Sequence, residues 1–316
     1  MTRGEILITA PVEPQLDAAL ASNYVVHRLW QAQDKTTFVR SVADRVTAVV
    51  TRSVIGADRA LMQSLPKLGL VAIFGVGTDA VDLVAARDLG VRVTNTPEVL
   101  TEDTADYGIT LLLALARKVV AGDRFVRAGK WSKGLLPNST RVGGKRIGIV
   151  GLGRIGTGVA RRAEAFSLEV LYTGPRAKAD APWKFVPSVL ELARAVDFLV
   201  LTCPGGPDTA RIVNAEVLRA LGPEGFLINI ARASVLDQAA LIAALQQGTI
   251  KGAALDVFDD EPNVPSELLA LDNVIVEPHI ASTTVETRAA IGELVKANVD
   301  AFFSGHALPT PVPPPR

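Results

Sequence analysis

The stretch Arg146-Ile147-Gly148-Ile149-Val150-Gly151-Leu152-Gly153-Arg154-Ile155-Gly156 decides how this chain of 316 residues is read. A strand-like apolar run leads without interruption into G-x-G-x-x-G, and a helical pattern follows to about Phe166. Gly151 permits a tight turn, Gly153 lets the backbone approach a pyrophosphate, and Gly156 lets the helix pack closely on the strand, while the helix N-terminus attracts the anion. The glycine spacing by itself also fits an ordinary turn. With a strand before it and a helix after it, the motif reads as a dinucleotide site.

Working outward, the same alternation recurs. Strand-like runs are found at Glu169 to Thr173, Asp197 to Thr202, Phe226 to Ile230 and Gly252 to Phe258, and upstream at Ile6 to Thr9, Val46 to Thr51, Leu70 to Phe74 and Val91 to Asn95. Amphipathic segments separate them, which predicts parallel sheets with helices on both faces. Asp237 is placed to cap a helix that Gly248 closes. A long helix is expected from near Thr101, with Glu102 and Asp103 at its positive end, running on toward Trp131. Val285 to Phe303 is again helical and ends at Gly305, before a proline-rich tail, Pro309 to Pro315. There is no internal repeat.

Composition narrows the function. Lys and Arg number 33 and Asp and Glu 33, mixed along the chain without a basic stripe, so nucleic acid is not an expected partner. The longest apolar run, Tyr107 to Ala116, is far shorter than the roughly 20 residues of a bilayer span and reads as a buried helix. Met1 to Ala10 lacks the sections of a secretory leader, so the expected location is cytoplasmic. Cys203 is the single cysteine, and His27, His279 and His306 are widely separated, so neither a disulfide nor a metal site is expected.

A site for NAD would place Asp or Glu about 20 residues beyond the glycine loop, at the end of the second strand. This chain reads Leu171-Tyr172-Thr173-Gly174-Pro175-Arg176 there. The carboxylate is missing and a guanidinium is close by, which suits a 2′-phosphate, with Lys178 as a second contact; a solvated loop arginine is the plainer reading. NADP is therefore the expected cofactor, with NADPH preferred over NADH.

Three later segments each begin where a strand ends: Asn229 to Arg232, Asp256 to Pro262 and Glu277 to Ser282. An arginine can hold a carboxylate or a 2-oxo group through its fork of donors, and a histidine paired with a carboxylate can move a hydroxyl proton. Taken singly, His279 also fits a loop histidine, Arg232 a surface ion pair and Glu261 a solvated acid. Together they form an acid set suited to hydride transfer to a carbonyl.

These segments, with Val76 to Leu83 and the glycine loop, resemble the D-isomer-specific 2-hydroxyacid dehydrogenase family over nearly the whole chain. Val93 to Thr101 and Val285 to Arg288 look most like its hydroxypyruvate and hydroxyphenylpyruvate reductases. The resemblance implies two doubly wound α/β parallel-sheet domains. One is a flavodoxin-like substrate domain over 1–98 plus 286–316, the other a Rossmann dinucleotide domain over 99–285, with the active site in the cleft between them. It implies a homodimer built on about Val99 to Leu136, with Leu135 or Leu136 closing the partner's pocket. Arg232 would bind and polarise a small 2-oxo acid, His279 would protonate the developing alkoxide, and Glu261 would orient His279. The substrate carboxylate would meet the backbone of Val76 and Gly77, with Arg52 and Ser53.

Cofactor contacts are implied at Thr104, at Gly151, Leu152, Gly153, Arg154, Ile155 and Gly156, and at Thr173, Gly174, Pro175 and Arg176. Further contacts are implied at Cys203, Pro204 and Thr209, at Ile230 and Ala231, and at Asp256 and Ser282. Two departures stand out. The family's arginine after the second strand comes later here, behind Gly174 and Pro175, and Ala233 replaces the usual glycine. Formate oxidation on this scaffold is disfavoured because those enzymes pair the histidine with glutamine; phosphite oxidation is disfavoured less. A phosphoglycerate dehydrogenase would be longer, and a dinucleotide-sensing corepressor would carry partner-binding extensions.

Overall fold

A computed structural model describes residues 3–315. Met1 and Thr2, at the start of the run read for a leader, and Arg316, the last residue of the expected substrate domain, lie outside the described residues. The chain forms two compact units, with breaks at 100/101 and 282/283, against expected boundaries at 98/99 and 285/286.

The unit holding both chain ends contains strands β1 (Glu5–Ile8), β2 (Val25–Arg28), β3 (Val46–Arg52), β4 (Leu70–Phe74) and β5 (Arg92–Thr94). They pair in parallel in the order β2-β1-β3-β4-β5, the flavodoxin-like order. Every residue of β4 is buried, as expected of a strand covered on both faces. Strand β2 was not evident in the sequence: it is an edge strand whose Val25 is exposed, so it carries little of the apolar pattern of a strand. The closing helix Val285–Phe303 is capped by Thr284, whose side chain accepts from Thr287 N–H, and it buries Ile291, Val295 and Val299. Beyond Gly305 the tail is ordered along β5: Val312 N–H donates to the Val93 carbonyl at 2.8 Å, which covers one edge of the sheet.

The second unit holds β6 (Arg146–Val150), β7 (Glu169–Thr173), β8 (Lys184–Phe185), β9 (Phe198–Leu201), β10 (Phe226–Asn229), β11 (Gly252–Leu255) and β12 (Val274–Val276). The order is β12-β11-β10-β9-β6-β7-β8, all parallel, with the chain reversing direction of growth between β6 and β9. Alternate side chains feed two cores. Phe198 and Val200 pack with Ile147 and Ile149 on one face, and Leu199 and Leu201 with Val150 on the other. Each such fully buried side chain contributes about 1.5–3 kcal/mol relative to exposure. Asp237 accepts from Ala240 N–H at 3.0 Å to cap helix Gln238–Gln246, and Gly248 follows at φ 68°.

One expectation is corrected. The helix from Thr101 toward Trp131 is two helices, Thr101–Ala116 and Val119–Arg127, followed by a short turn at Trp131–Lys133. Lys118 sits in the left-handed region at φ 57°, which ends the hydrogen-bond ladder. Helical periodicity persists on both sides of it, and a lysine gives no sequence signal for such a break.

Candidate active site

In the seven-stranded unit all strands run parallel, so every expected cofactor and catalytic residue that follows a strand lies at one sheet edge. Gly151, after β6, has φ 94°, and a Cβ there would stand 2.6 Å from Cys203 Cα, so the turn passes tightly under the end of β9. A Cβ on Gly156 would meet the Gly151 carbonyl oxygen at 2.3 Å, and Thr202 Oγ1 donates to that carbonyl at 2.7 Å. Gly153, by contrast, faces open space where a Cβ would be, at the uncapped start of helix Arg154–Ala165. This is a cradle for a diphosphate: backbone N–H groups at the positive end of a three-turn helix, with no side chain in the way. Leu152 is buried beneath the loop, Ile155 is half-buried, and Arg154 is on the surface.

Thr173 ends β7 buried, while Pro175 and Arg176 are exposed and Gly174 has open space around it. Lys178 N–H donates to the Tyr172 hydroxyl at 2.8 Å, which fixes the loop that carries Arg176. No carboxylate pairs with Arg176 among the described residues. Cys203 and Pro204 follow β9; burial pushes the Cys203 thiol up to about 11, so it is a neutral apolar wall. Thr209 Oγ1 donates to the Pro204 carbonyl at 2.7 Å. Thr104 is buried in the first turn of its helix, and Ser282 lies beyond β12.

Arg232, Glu261 and His279 are brought together beyond β10, β11 and β12. Asn229, fully buried, makes the turn that presents Arg232: its Oδ1 accepts from Ala231 N–H at 3.0 Å and its Nδ2 donates to the Arg232 carbonyl at 3.1 Å. Ile230 and Ala231 are buried in that turn. His279 Nδ1 lies 2.8 Å from Glu261 Oε2, and Glu261 Oε1 accepts from Phe258 N–H at 3.1 Å. Burial works against the Glu261 carboxylate, but its hydrogen bonds to His279 and Phe258 and the nearby Arg232 charge outweigh that and hold its pKa below the usual value. The Nδ1 bond commits that nitrogen and leaves Nε2 as the working end of the ring. His279 itself is at φ 56°, a strained setting for a non-glycine residue. Asp256 stabilises it: the buried carboxylate accepts from Ile280 N–H at 2.7 Å and from Ala281 N–H at 2.9 Å, while burial raises its pKa.

In the five-stranded unit, Arg52 ends β3 and Ser53 follows it, and Gly75, Val76 and Gly77 follow β4. The Gly75 carbonyl accepts from Thr96 N–H at 3.0 Å and the Val76 carbonyl from Asn95 Nδ2 at 2.8 Å. The N–H groups of Val76 and Gly77 have no partner among the described residues, so the loop presents two adjacent donors, a geometry suited to a carboxylate. Ser53 Oγ is buried and also without a partner. A Cβ on Gly75 would fall 2.1 Å from it, which requires glycine there.

Three residues were not singled out from the sequence. Asn95 and Thr96 organise the Gly75 loop, and Tyr107 shares a hydrogen bond with Glu277, two residues before His279. Burial and then that carboxylate push the Tyr107 hydroxyl pKa upward. Asn95 and Thr96 stood inside the quoted Val93 to Thr101 motif, but only the fold reveals what they touch.

Fold and strand-end chemistry together define a dinucleotide-dependent oxidoreductase. Residues 109–281 match the family model described as D-isomer specific 2-hydroxyacid dehydrogenase, NAD binding domain. The chain is 45% identical over 307 residues to glyoxylate/hydroxypyruvate reductase A of Arabidopsis thaliana, covering 97% of this chain and 98% of that one. It is similarly 45% identical to hydroxyphenylpyruvate reductase of Plectranthus scutellarioides, with the same coverage. Among solved structures, a 2-hydroxyacid dehydrogenase from Ketogulonicigenium vulgare Y25 superposes with a TM-score of 0.92 at 46% identity over 100% of both chains. An NADPH-dependent glyoxylate/hydroxypyruvate reductase from Sinorhizobium meliloti, solved with NADP and malonate, gives 0.90 at 39% identity, covering 98% of this chain and 97% of that one. The chain belongs to the D-isomer-specific 2-hydroxyacid dehydrogenase family.

Proposed function

We propose that this enzyme reduces small 2-oxo acids, glyoxylate and hydroxypyruvate among them, to D-2-hydroxy acids with NADPH. The observation that carries the reading is the 2.8 Å pairing of His279 Nδ1 with Glu261, within range of the Arg232 charge. When bound, the reduced dinucleotide supplies the hydride. Arg232 binds the 2-oxo acid and polarises its carbonyl, and His279 Nε2 delivers a proton to the C2 oxygen. Glu261 fixes the ring through Nδ1. The Val76 and Gly77 N–H groups, with Arg52 and Ser53, take the substrate carboxylate. Asp256 holds the backbone beyond His279 so that the ring keeps its direction.

The preference for NADPH is supported by Arg176, which has no carboxylate partner among the described residues, and by the absence of an acid at the end of β7 in the sequence. In the same reading the protein is a cytoplasmic homodimer. The dimer is supported by exposed Val119, Val126, Trp131 and Leu135 inside the expected interface region, and the location by the single, buried cysteine. The test is a panel of glyoxylate, hydroxypyruvate, 2-ketogluconate, pyruvate and phenylpyruvate with NADPH and with NADH. Turnover of glyoxylate or hydroxypyruvate with NADPH is expected. Cofactor binding with no turnover across the panel would replace the enzyme by a dinucleotide sensor.

A further inference from the structure

The tail after Gly305 does more than cover an edge of the five-stranded sheet. Thr310 Oγ1 donates to the Asn95 carbonyl at 2.6 Å, and Asn95 N–H points at the Thr310 carbonyl at 3.4 Å. Thr310 is in turn clasped by Asn298, a wholly buried residue of the closing helix. Asn298 Nδ2 donates to Thr310 Oγ1 at 2.8 Å, and Thr310 N–H donates to Asn298 Oδ1 at 3.1 Å. The threonine hydroxyl thus uses its proton on Asn95 and a lone pair on Asn298. Asn95 then reaches forward and donates to the Val76 carbonyl.

A trans peptide is planar, with its N–H opposed to its C=O. Tying the Gly75 and Val76 carbonyls to Thr96 and Asn95 therefore turns the N–H groups of Val76 and Gly77 to the opposite side of the loop. Both are left without a partner among the described residues, which is the condition for a pair of donors aimed at an anion.

We propose that Asn95 and Thr310 are positioning residues, through which the C-terminal tail sets the direction of the two N–H groups that receive the substrate carboxylate. The inference rests on the reading of Val76 and Gly77 as the carboxylate site. Neither residue touches substrate; each acts through the loop backbone. A purely structural strap would change thermal stability and spare the kinetics, or would disturb cofactor and substrate binding alike. A positioning role affects the carboxylate alone.

The test uses the full-length enzyme and the variants Asn95→Ala, Thr310→Val and Thr310→Ser. Three quantities are read: KM for glyoxylate, the affinity of the NADPH-loaded enzyme for oxalate measured without turnover, and Kd for NADPH. We expect Asn95→Ala and Thr310→Val to raise the glyoxylate KM and weaken oxalate about three- to tenfold, the loss of one net hydrogen bond. NADPH affinity stays at the parent value, and Thr310→Ser, which keeps the hydroxyl, restores glyoxylate and oxalate. Parent-like oxalate affinity in Thr310→Val, or an equal loss of NADPH affinity, overturns the proposal. If Asn95→Ala does not fold, the Thr310→Val and Thr310→Ser pair decides by the same readings. If the parent reduces no 2-oxo acid, the proposed function fails, while oxalate binding still reports on the loop.

Discussion

Arg232 reaches the sheet edge because Asn229 closes the turn beneath it, so its guanidinium is presented by backbone geometry and not by a mobile loop. Hydrogen bonds to charged groups contribute about 1.5–3 kcal/mol each, and a forked contact makes two. Arg232→Ala should therefore lower kcat/KM by roughly a hundredfold or more, with KM raised and kcat reduced together; near-parental kinetics would remove it from the site. Glu261 gives a prediction with a sign. Folding lowers its pKa from 4.5, so the carboxylate stays charged through the neutral range, and its pairing stabilises the fold above that value. That stabilisation is lost as the pH falls through the lowered folded value. In reduction Glu261 holds the ring that delivers the proton, so Glu261→Gln should lower kcat while NADPH affinity stays at the parent value; a parent-like kcat would mean that the pairing does not serve the reaction. These residues were legible because each follows a strand end, where chemistry concentrates in parallel sheets. Asn95 and Thr310 were not, because their meaning is a contact across 215 positions that no local pattern records.

At the scale of elements, short apolar strands and the glycine loop were readable because both obey local rules. Strands β6 and β7 fall where the apolar runs were, and the closing helix spans the full Val285–Phe303 pattern. Short strands with weak patterns were lost: β8 has two residues, and β2 is partly exposed at the edge. The break at Lys118 was lost for another reason, since a left-handed lysine is imposed by the packing on either side and leaves the helical period intact. A residue with a Cβ costs on the order of 1 kcal/mol there compared with glycine. Lys118→Gly should accordingly raise thermal stability by an amount near that, less the entropy glycine adds to the unfolded chain. A clear fall in melting temperature would mean that the lysine side chain contributes more than its backbone strain costs. On the proposed reading, the loop after β7 sets cofactor choice. Arg176→Ala should weaken NADPH about tenfold while leaving NADH nearly unchanged, and Gly174→Asp should improve NADH, both read from kcat/KM. Equal losses for both cofactors would exclude this loop as a phosphate site.

Over the whole molecule, positive and negative charges balance at 33 each, so no net charge of the chain as a whole draws an anionic substrate in. What the surface does offer is apolar. Helix Val119–Arg127 has a strongly one-sided pattern, yet none of its residues is buried in the single chain, and the segment after it exposes Trp131 at 67% and Leu135 at 87%. The helix seats Val120 against the core, while Val119 and Val126 stay exposed, and apolar side chains grouped in this way suit a partner surface. Trp131 is the aromatic residue among them, and with Leu135, Val119 and Val126 it gives the patch apolar side chains to bury at an interface. On the dimer reading proposed above, a second copy of the same chain covers this face through a self-complementary patch, as in a two-fold dimer. Light scattering at micromolar concentration should therefore give about twice the 33.4 kDa of one chain. Leu135→Glu combined with Val126→Glu places two like charges against their symmetry mates and should shift the population to monomer, with the glycine loop and NADPH affinity intact. A parent protein that scatters as a monomer would leave this apolar face without the partner argued for it.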